Sequence, residues 1–336
     1  MAKKKSSKSA KAKKKSSHPP KQPNRRLIAR VASGIIALII ISTLVFYYVN
    51  LPPRFNGKNA FAYIEKQCDF GPRVPGSQAH NECGDFLVTE LSQYADRVSQ
   101  QQFTYQDKKD STKAFTGRNI IASFNLQPKR DFRVMLCAHW DSRPTADQDP
   151  DPANHQKAVL GANDGASGVA VLLEMAHILH HNPLDFGIDI VLFDLEDMGD
   201  HGAGLESDSL TPFCIGSQYF VKNRPGYHPR FGILLDMVGD KELRFEREGY
   251  SWGRAPQVVT KVWNAAKEVG ATAFVEEIRE PVLDDHVPFL EKGIKVIDII
   301  DFDYPHWHTI NDTPDKCSAE SLQQVGDVLI EVLYNE

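Results

Sequence analysis

Short apolar runs alternate with helix-length segments along most of the chain. Runs of five or six residues rich in Ile, Leu, Val and Phe predict five buried strands, at residues 119–124, 133–138, 188–193, 231–236 and 296–300. Apolar residues recur at helical spacing in three longer segments, at residues 168–181, 257–269 and 319–333. Strands that alternate with helices favour a parallel sheet covered on both faces. We therefore predict a three-layer α/β/α fold with a twisted, mostly parallel central sheet.

The N-terminal region departs from this pattern. Residues 1–30 are rich in Lys, Ser, Ala and Pro, and residues 31–49 form an uncharged, largely apolar run. Such a run is long enough to cross a bilayer as a helix. We therefore predict a basic cytoplasmic tail over residues 1–30, followed by one transmembrane signal anchor and linker over residues 31–53. The positive-inside rule then places the remainder, residues 54–336, outside the cytoplasm, as in a periplasmic protein.

Two other interpretations of this region are less favoured. A cleaved signal peptide would have a shorter apolar run and an A-x-A site, which does not follow here. Nucleic-acid binding by the lysines is also disfavoured, because no aromatic residue interleaves with them. The sequence thus predicts association with a membrane and no nucleic-acid partner.

Charge separates the same two regions. The 336 residues carry 39 Lys and Arg against 44 Asp and Glu, a net charge of -5, and every acidic residue lies beyond residue 53. The ordinary hydrophobic content of 41% and the length exclude a disordered chain and a small disulfide scaffold, and predict a single large domain over residues 54–336.

Among five cysteines, Cys68 and Cys83 flank a Gly/Pro-rich loop and are the favoured disulfide, while Cys137 is typical of a buried thiol. The pairing stays open.

Acidic and histidine side chains follow the predicted strands. The carboxyl ends of parallel strands meet at one edge of a sheet, where the chemistry of α/β folds collects. The residues at these positions are His139, Asp141, Asp194, Glu196, Asp197, Asp236, His306 and His308. Asp164 lies in a Gly-Ala-Asn-Asp-Gly turn before a predicted helix, where it is placed to cap the helix or to bind a metal.

The pattern is compatible with a zinc site. Asp164, Asp197 and His308 offer two carboxylates and an imidazole, and a catalytic zinc takes three such ligands and keeps one position open. Each residue alone also has an ordinary explanation, as a cap, a loop acid or a surface histidine. Glu196, next to Asp197, is placed to move protons. Asp284 and Asp285 are adjacent acids before another helix, which tends to raise one pKa.

An ordered set of seven motifs carries a family resemblance. The chain from Phe61 to its end resembles the M28 metallopeptidase-like superfamily, and the resemblance implies a zinc-exopeptidase-like fold. The motifs are FGPRVPGS (70–77), CAHWDSRP (137–144), GANDGASG (161–168), LFDLEDMG (192–199), LLDMVG (234–239), DDHVPFL (284–290) and HWHT (306–309).

Two activities compete within this superfamily. Dizinc aminopeptidases usually carry Glu-Glu where this chain has Glu196-Asp197, and Ser-Asp-His where it has residues 284–286. Glutaminyl cyclases resemble the chain at the second site, their bacterial members also at the first, and Trp307 before His308 is similar to cyclases. The resemblance therefore implies a glutaminyl-peptide cyclotransferase that acts on peptides with an N-terminal glutamine. The alternative is a dizinc aminopeptidase whose second metal is held by His139 and Asp236. A catalytically silent binding domain is disfavoured, because every position carries competent chemistry.

The resemblance also implies roles for individual residues. Asp164, Asp197 and His308 would bind a single zinc ion, and Glu196 would be the general acid/base. Asp236 and Asp284 would form a hydrogen-bonded acid pair at the substrate amide, while Trp307 and Asp285 would contact the substrate. Asp298 stands where cyclases have a histidine, so its role is open.

Overall fold

The predicted strands lie side by side in one sheet of the computed structural model, which describes residues 52–107, 112–199 and 213–336 and some residues between 26 and 43. Six strands form this sheet, in the spatial order β1-β2-β4-β3-β5-β8. Their bounds are β1 Arg97–Gln106, β2 Ala114–Phe124, β3 Arg133–His139, β4 Gly187–Phe193, β5 Gly232–Asp236 and β8 Val296–Ile300. A separate two-stranded sheet pairs β6 (Phe245–Arg247) with β7 (Phe274–Ile278).

Strand direction brings four carboxyl ends to one edge. The pairs β3–β4, β3–β5 and β5–β8 are parallel, whereas β2 is antiparallel to both of its neighbours. His139 is in register with Phe193, and Asp236 is in register with Ile300. The last residues of β3, β4, β5 and β8 therefore share one edge, and the predicted α/β fold with a mostly parallel sheet is confirmed.

Helices pack on both faces of this sheet. Val134, Leu136 and Ala138 of β3 belong to the larger core, which also contains the helix that follows Asp164. The alternate residues Met135 and Cys137 belong to a smaller core with two phenylalanines from helices on the opposite face. This alternation is the period-2 pattern of a strand buried on both faces. The helices are α1 Gly57–Cys68, α2 Gln78–Tyr94, α3 Ala166–His181, α4 Ile215–Asn223, α5 Gly249–Arg254, α6 Pro256–Val269, α7 Val287–Glu291 and α8 Ala319–Tyr334.

One strand of the sheet was not predicted. β1, with the sequence RVSQQQFTYQ, has a single fully buried side chain, Phe103, and lies at the edge of the sheet. Its backbone pairs with β2 along its whole length. Because an edge strand can expose most of its side chains to solvent, the apolar runs that marked the other strands are missing here.

The disulfide predicted between Cys68 and Cys83 is not formed. Cys68 and Cys83 are separate thiols, as are the other three cysteines, so the favoured pair is not bridged. Burial raises the pKa of Cys68 to about 12 and that of Cys83 to about 11. Cys83 lies in the larger core and the partly buried Cys68 packs against it, so both act as small apolar side chains. Cys137 is buried, as predicted.

The predicted membrane anchor falls mainly outside the described residues. The chain divides into two units, Met1–Leu51 and Pro52–Glu336. In the first unit the described residues between 26 and 43 are helical and exposed. Among all described residues, no helix combines the length and the hydrophobicity that a membrane span requires. The basic tail also lies outside the described residues, and the extracytoplasmic location stays a prediction.

Candidate metal centre and active site

Six of the predicted site residues converge at the carboxyl edge of the sheet. His139 ends β3, Glu196 and Asp197 follow β4, and Asp236 ends β5. Asp164 precedes α3 and His308 follows β8 in the chain. Apart from the partly exposed Glu196, these side chains are buried.

Asp164, Asp197 and His308 form the first of two ligand groups. Nε2 of His308 lies 3.3 Å from Oδ2 of Asp197 and 3.5 Å from Oδ2 of Asp164. Oδ2 of Asp197 is buried and makes no hydrogen bond within the described residues. Two carboxylate oxygens and an imidazole nitrogen at these separations fit a zinc ion.

Arg143 holds the other oxygen of Asp197. Nη1 of Arg143 donates to Oδ1 of Asp197 at 2.5 Å, and its Nε and Nη2 donate to Asp147 at 2.7 and 2.8 Å. Burial alone would raise the pKa of Asp197, but His308 and Arg143 hold it below its usual range. Asp197 is therefore ionised, and its Oδ2 would be available to bind a cation. Arg143 lies in the motif CAHWDSRP, but no sequence pattern predicted its contact with Asp197.

A second ligand group shares Asp164. Nε2 of His139 lies 3.1 Å from Oδ1 of Asp164 and 3.3 Å from Oδ1 of Asp236. Burial and the charge of Asp284 raise the pKa of Asp236 to about 7. With Asp164 between the two groups, the same carboxylate can contact a cation in either group.

The turns that carry these residues have unusual backbone conformations. Leu195, Met237 and His308 have φ angles of 56°, 48° and 53°, in the left-handed region that L residues seldom adopt. Gly165 has φ 94°, and a Cβ there would lie 2.4 Å from the carbonyl oxygen of Asp141. Strain of this kind collects at sites where geometry is fixed by the surrounding structure.

Asp164 does not cap α3. The helix begins at Ala166 with Gly165 as its N-cap, and no side chain makes a capping hydrogen bond there. The capping interpretation is therefore wrong. The Asp164 carboxylate instead faces His139 and His308.

Asp312 fixes the turn that carries Asp164. Its carboxylate accepts the backbone N–H groups of Asn163 and Asp164 at 2.8 and 3.1 Å, and the Tyr304 hydroxyl at 2.8 Å. Burial and the charge of Asp164 raise the pKa of Asp312 to about 7. Sequence reasoning missed this residue, which lies only four positions after His308 in the chain.

Contacts with Asp141 and Cys214 hold Glu196 in place. Asp141 accepts its backbone N–H at 3.1 Å, and the thiol of Cys214 lies 3.2 Å from its Oε1. Cys214 also donates its backbone N–H to the carbonyl of Glu196 at 2.8 Å. Burial and the charge of Asp197 raise the pKa of the Glu196 carboxyl well above its ordinary value. A carboxyl with a raised pKa that lies beside a candidate metal site is suited to proton transfer. Cys214 was not predicted as part of the site.

Asp284 belongs to a buried cluster of ionisable residues. Ligand atoms of Asp284, His286 and Asp298 lie within 4.8 Å of one another, and burial raises the pKa of both carboxyls. Nδ1 of His286 lies 3.8 Å from Asp298, and its Nε2 lies 3.0 Å from Glu248. Oδ1 of Asp236 lies 3.3 Å from Nε2 of His139, and the predicted pairing of Asp236 with Asp284 stays a prediction. Asp285 is fully buried, and burial and Asp284 raise its pKa well above the ordinary value.

A cavity of about 210 Å³ opens onto the first ligand group. Its polar lining is Asp164, Glu196, Asp197, Asp236, Asp284 and His308, and its apolar lining includes Phe213, Val282, Leu283, Ile300, Phe302 and Trp307. The Trp307 ring stacks on His308 with ring centroids 3.8 Å apart. Neither Asp285 nor Asp298 is among the described lining residues.

Glu248 anchors the acid network, and its loss is expected to destabilise the fold. Its carboxylate accepts hydrogen bonds from Tyr250, Ser251 and Val282 backbone N–H groups and from His286. Although burial opposes ionisation, the bond from His286 and its charge lower the pKa of Glu248 to about 2. Relative to an unfolded value near 4.5, a lowered pKa of this size corresponds to about 3 kcal/mol of stability.

We therefore expect E248Q to lose about 3 kcal/mol in urea unfolding at neutral pH. Because the folded pKa is depressed, this contribution is full above the unfolded pKa and disappears as the pH falls from about 4.5 to about 2. The gap between wild type and variant should close over that range. E246Q, at an ion pair with Arg244 that is partly exposed, is the matched control and should change little. Equal unfolding midpoints for E248Q and E246Q would contradict the expectation.

Residues 119–333 match the peptidase family M28. The chain belongs to this family. The match covers more than half of the chain and confirms the resemblance seen in the seven motifs. Members of this family are zinc-dependent enzymes, in agreement with the ligand groups at the sheet edge.

Relatives of this M28 chain have two different activities. It is 25% identical to aminopeptidase YwaD of Bacillus subtilis over 90% of its length, and 24% identical to a glutaminyl-peptide cyclotransferase of Gloydius blomhoffii over 64%. The chain spans 62% and 64% of these two proteins. A crystal structure of Bacteroides thetaiotaomicron glutaminyl cyclase bound to N-acetylhistamine is 41% identical, with a TM-score of 0.80, and covers 85% of this chain and 100% of that chain. The comparisons thus show the family, which contains both activities.

Proposed function

We propose that the protein is a glutaminyl-peptide cyclotransferase, which converts an N-terminal glutamine to pyroglutamate and releases ammonia. The observation that carries this proposal is the lining of the cavity. Asp164, Asp197 and His308 all face it together with Glu196, whereas His139 is not among its described lining residues. A single cation bound by the first ligand group would therefore contact a substrate in the cavity without a cation in the second group.

The size and chemistry of the cavity support a glutamine side chain. A volume of about 210 Å³ fits one residue rather than a long peptide segment. Trp307 and Phe302 form an aromatic wall, with ring centroids 5.0 Å apart. Glu196, Asp236 and Asp284 offer acceptors for the substrate's amine and amide N–H groups. The similarity to the Bacteroides glutaminyl cyclase, which spans that whole chain, supports the same proposal.

The reaction is an intramolecular aminolysis. The substrate's α-nitrogen forms a bond to the side-chain amide carbon, and the bond from that carbon to the amide nitrogen breaks. Glu196 accepts the proton from the attacking amine and delivers it to the departing nitrogen, which leaves as ammonia, so no water is consumed. A zinc ion bound by Asp164, Asp197 and His308 would supply Lewis-acid polarisation of the amide carbonyl. The walls hold amine and amide together, which lowers the entropic barrier.

A dizinc aminopeptidase is the second candidate. His139, Asp164 and Asp236 have ligand atoms close enough to hold another cation, with Asp164 shared between both groups. The similarity to the Bacillus aminopeptidase favours this activity too. A hydrolase of this kind would add water across the first peptide bond and release a free amino acid.

The two activities give different products from one peptide. The purified full-length chain, loaded with zinc, is incubated with peptides that begin Gln-Ala and Ala-Ala, and products are identified by mass spectrometry. A cyclase converts the first peptide with loss of one ammonia and leaves the second intact. Release of free glutamine or alanine would overturn the proposal in favour of the aminopeptidase. A chelator control should abolish either activity.

A further inference from the structure

The loop between β3 and the turn of Asp164 contacts the segment that carries His308. Residues 140–160 form this loop, which includes one short 3-10 helix, Pro152–Asn154. The backbone N–H of Gln148 donates to the carbonyl oxygen of His308 at 3.2 Å. Because the two segments are distant in sequence, the packing of this loop bears directly on the position of His308.

Asp149 forms a second connection between the loop and the His308 segment. The residue is buried, with 5% of its surface exposed, although most residues around it in the sequence are polar. Its Oδ2 accepts the backbone N–H of Ile310 at 3.1 Å. Its Oδ1 accepts the N–H of Asp151 and the side-chain amide of Asn154 at 3.0 and 2.9 Å. These donors use both oxygens, so a side chain with one acceptor oxygen loses at least one of the bonds.

The backbone of His308 needs such support. Its φ angle of 53° lies in the left-handed region, and a residue with a Cβ keeps this conformation only where the surrounding structure holds it. The bond from Gln148 fixes the residue itself, and the bond to Asp149 fixes Ile310, two positions later. The loop therefore supports the conformation in which Nε2 of His308 faces the other two ligands of the first group.

The same loop also brings a carboxylate to the other nitrogen of the His308 ring. Oδ1 of Asp147 lies 3.6 Å from Nδ1 of His308, just beyond a direct hydrogen bond. A carboxylate at this position favours the proton on Nδ1 and leaves the lone pair of Nε2 for a cation. Asp147 is held by Nε and Nη2 of Arg143, and Nη1 of that arginine binds Asp197. One arginine therefore links the supports of two ligands in the same group.

We infer that residues 147–149 are positioning residues, which set the zinc affinity of the first ligand group through His308. The backbone of Gln148 and the carboxylate of Asp149 fix the backbone, and Asp147 fixes the protonation of the ring. None of the three is among the described residues of either ligand group or of the cavity lining. The inference rests on the same bound zinc as the proposed function, but it does not depend on which reaction follows.

The test measures the zinc affinity of the full-length chain without substrate, by competition with a coloured chelator. D149N should bind zinc about 10–100-fold more weakly than wild type, the range found when a group that supports a ligand is changed. D147N should weaken zinc binding by at least about tenfold. The control D151N changes an exposed acid of the same loop, whose side chain accepts the N–H of Ala153, and should bind zinc as wild type does.

Unfolding temperatures with and without zinc separate positioning from general stability. Zinc raises the unfolding temperature of a chain that binds it in the folded state, and this rise should be smaller in D149N and D147N than in D151N. D147N changes a partly exposed residue and keeps the comparison possible if D149N is unstable. A lower metal-free unfolding temperature with an unchanged zinc affinity in both variants, or an equal loss of affinity in D151N, would overturn the inference.

Product analysis keeps this inference distinct from the proposed reaction. Weaker zinc binding in D149N, together with release of free glutamine by wild type, would support the positioning role and reject the cyclase. Unchanged zinc binding in D149N and D147N, in a protein whose wild type forms pyroglutamate, would reject the positioning role alone.

Discussion

Replacement of Glu196 by Gln is expected to lower turnover by about 10²–10⁴ while zinc stays bound, because general acid/base catalysis contributes on that scale. Gln has the same shape and keeps an oxygen near the Cys214 thiol, so the turn after β4 should persist. In the proposed reaction, the variant loses the ability to take a proton from the attacking amine. Glu196 does not belong to either of the ligand groups that contain Asp164.

Three measurements test the role of Glu196 on the full-length protein. Turnover of a peptide beginning with Gln gives the rate, the zinc-to-protein ratio shows whether metal is retained, and circular dichroism checks the fold. E242Q changes an exposed acid outside the cavity lining and should leave turnover unchanged. Unchanged turnover in E196Q would remove Glu196 from the mechanism, whereas loss of zinc would show that it supports the metal instead.

The parts of the fold that the sequence predicted are those where burial dictates composition. β4 is buried at every position and α3 at nearly every position, so their apolar runs could be recognised in one dimension. The three predicted helices end within two residues of the observed ones. β1 differs from these elements, because its side chains are largely exposed and it is held in the sheet by backbone pairing with β2. Polar composition therefore hid it.

The candidate site likewise contains some residues that the sequence could predict and others that it could not. Residues at strand ends, such as Asp197 and Asp236, could be predicted because strand direction alone brings them to one edge. Arg143, Asp312 and Cys214 act through contacts with residues distant in sequence, or from a loop whose path is set by packing. Nothing in local spacing reveals such contacts. The separate thiols of Cys68 and Cys83 illustrate the same limit, because a flanking loop does not fix where two side chains point.

Asp164 is the residue whose loss is expected to affect metal binding most. It belongs to both ligand groups, and its carboxylate lies near His308 in one and His139 in the other. D164N keeps the volume but replaces a charged ligand with a neutral amide. Changes to groups that only support a ligand cost about 10–100-fold in metal affinity, so loss of a shared ligand should cost more than about 100-fold. Turnover should fall with the zinc content.

Zinc titration of the metal-free full-length chain measures this effect and also counts the ions. D315N alters an exposed acid beside Lys316 and should bind zinc as wild type does. H139N removes a ligand from the second group alone. If the protein uses one zinc ion, H139N retains the full zinc content and most of the turnover, since His139 does not line the described cavity. Loss of half the zinc together with turnover in H139N would show that both groups hold metal and would favour the aminopeptidase. Full zinc binding by D164N would exclude the shared-ligand arrangement altogether.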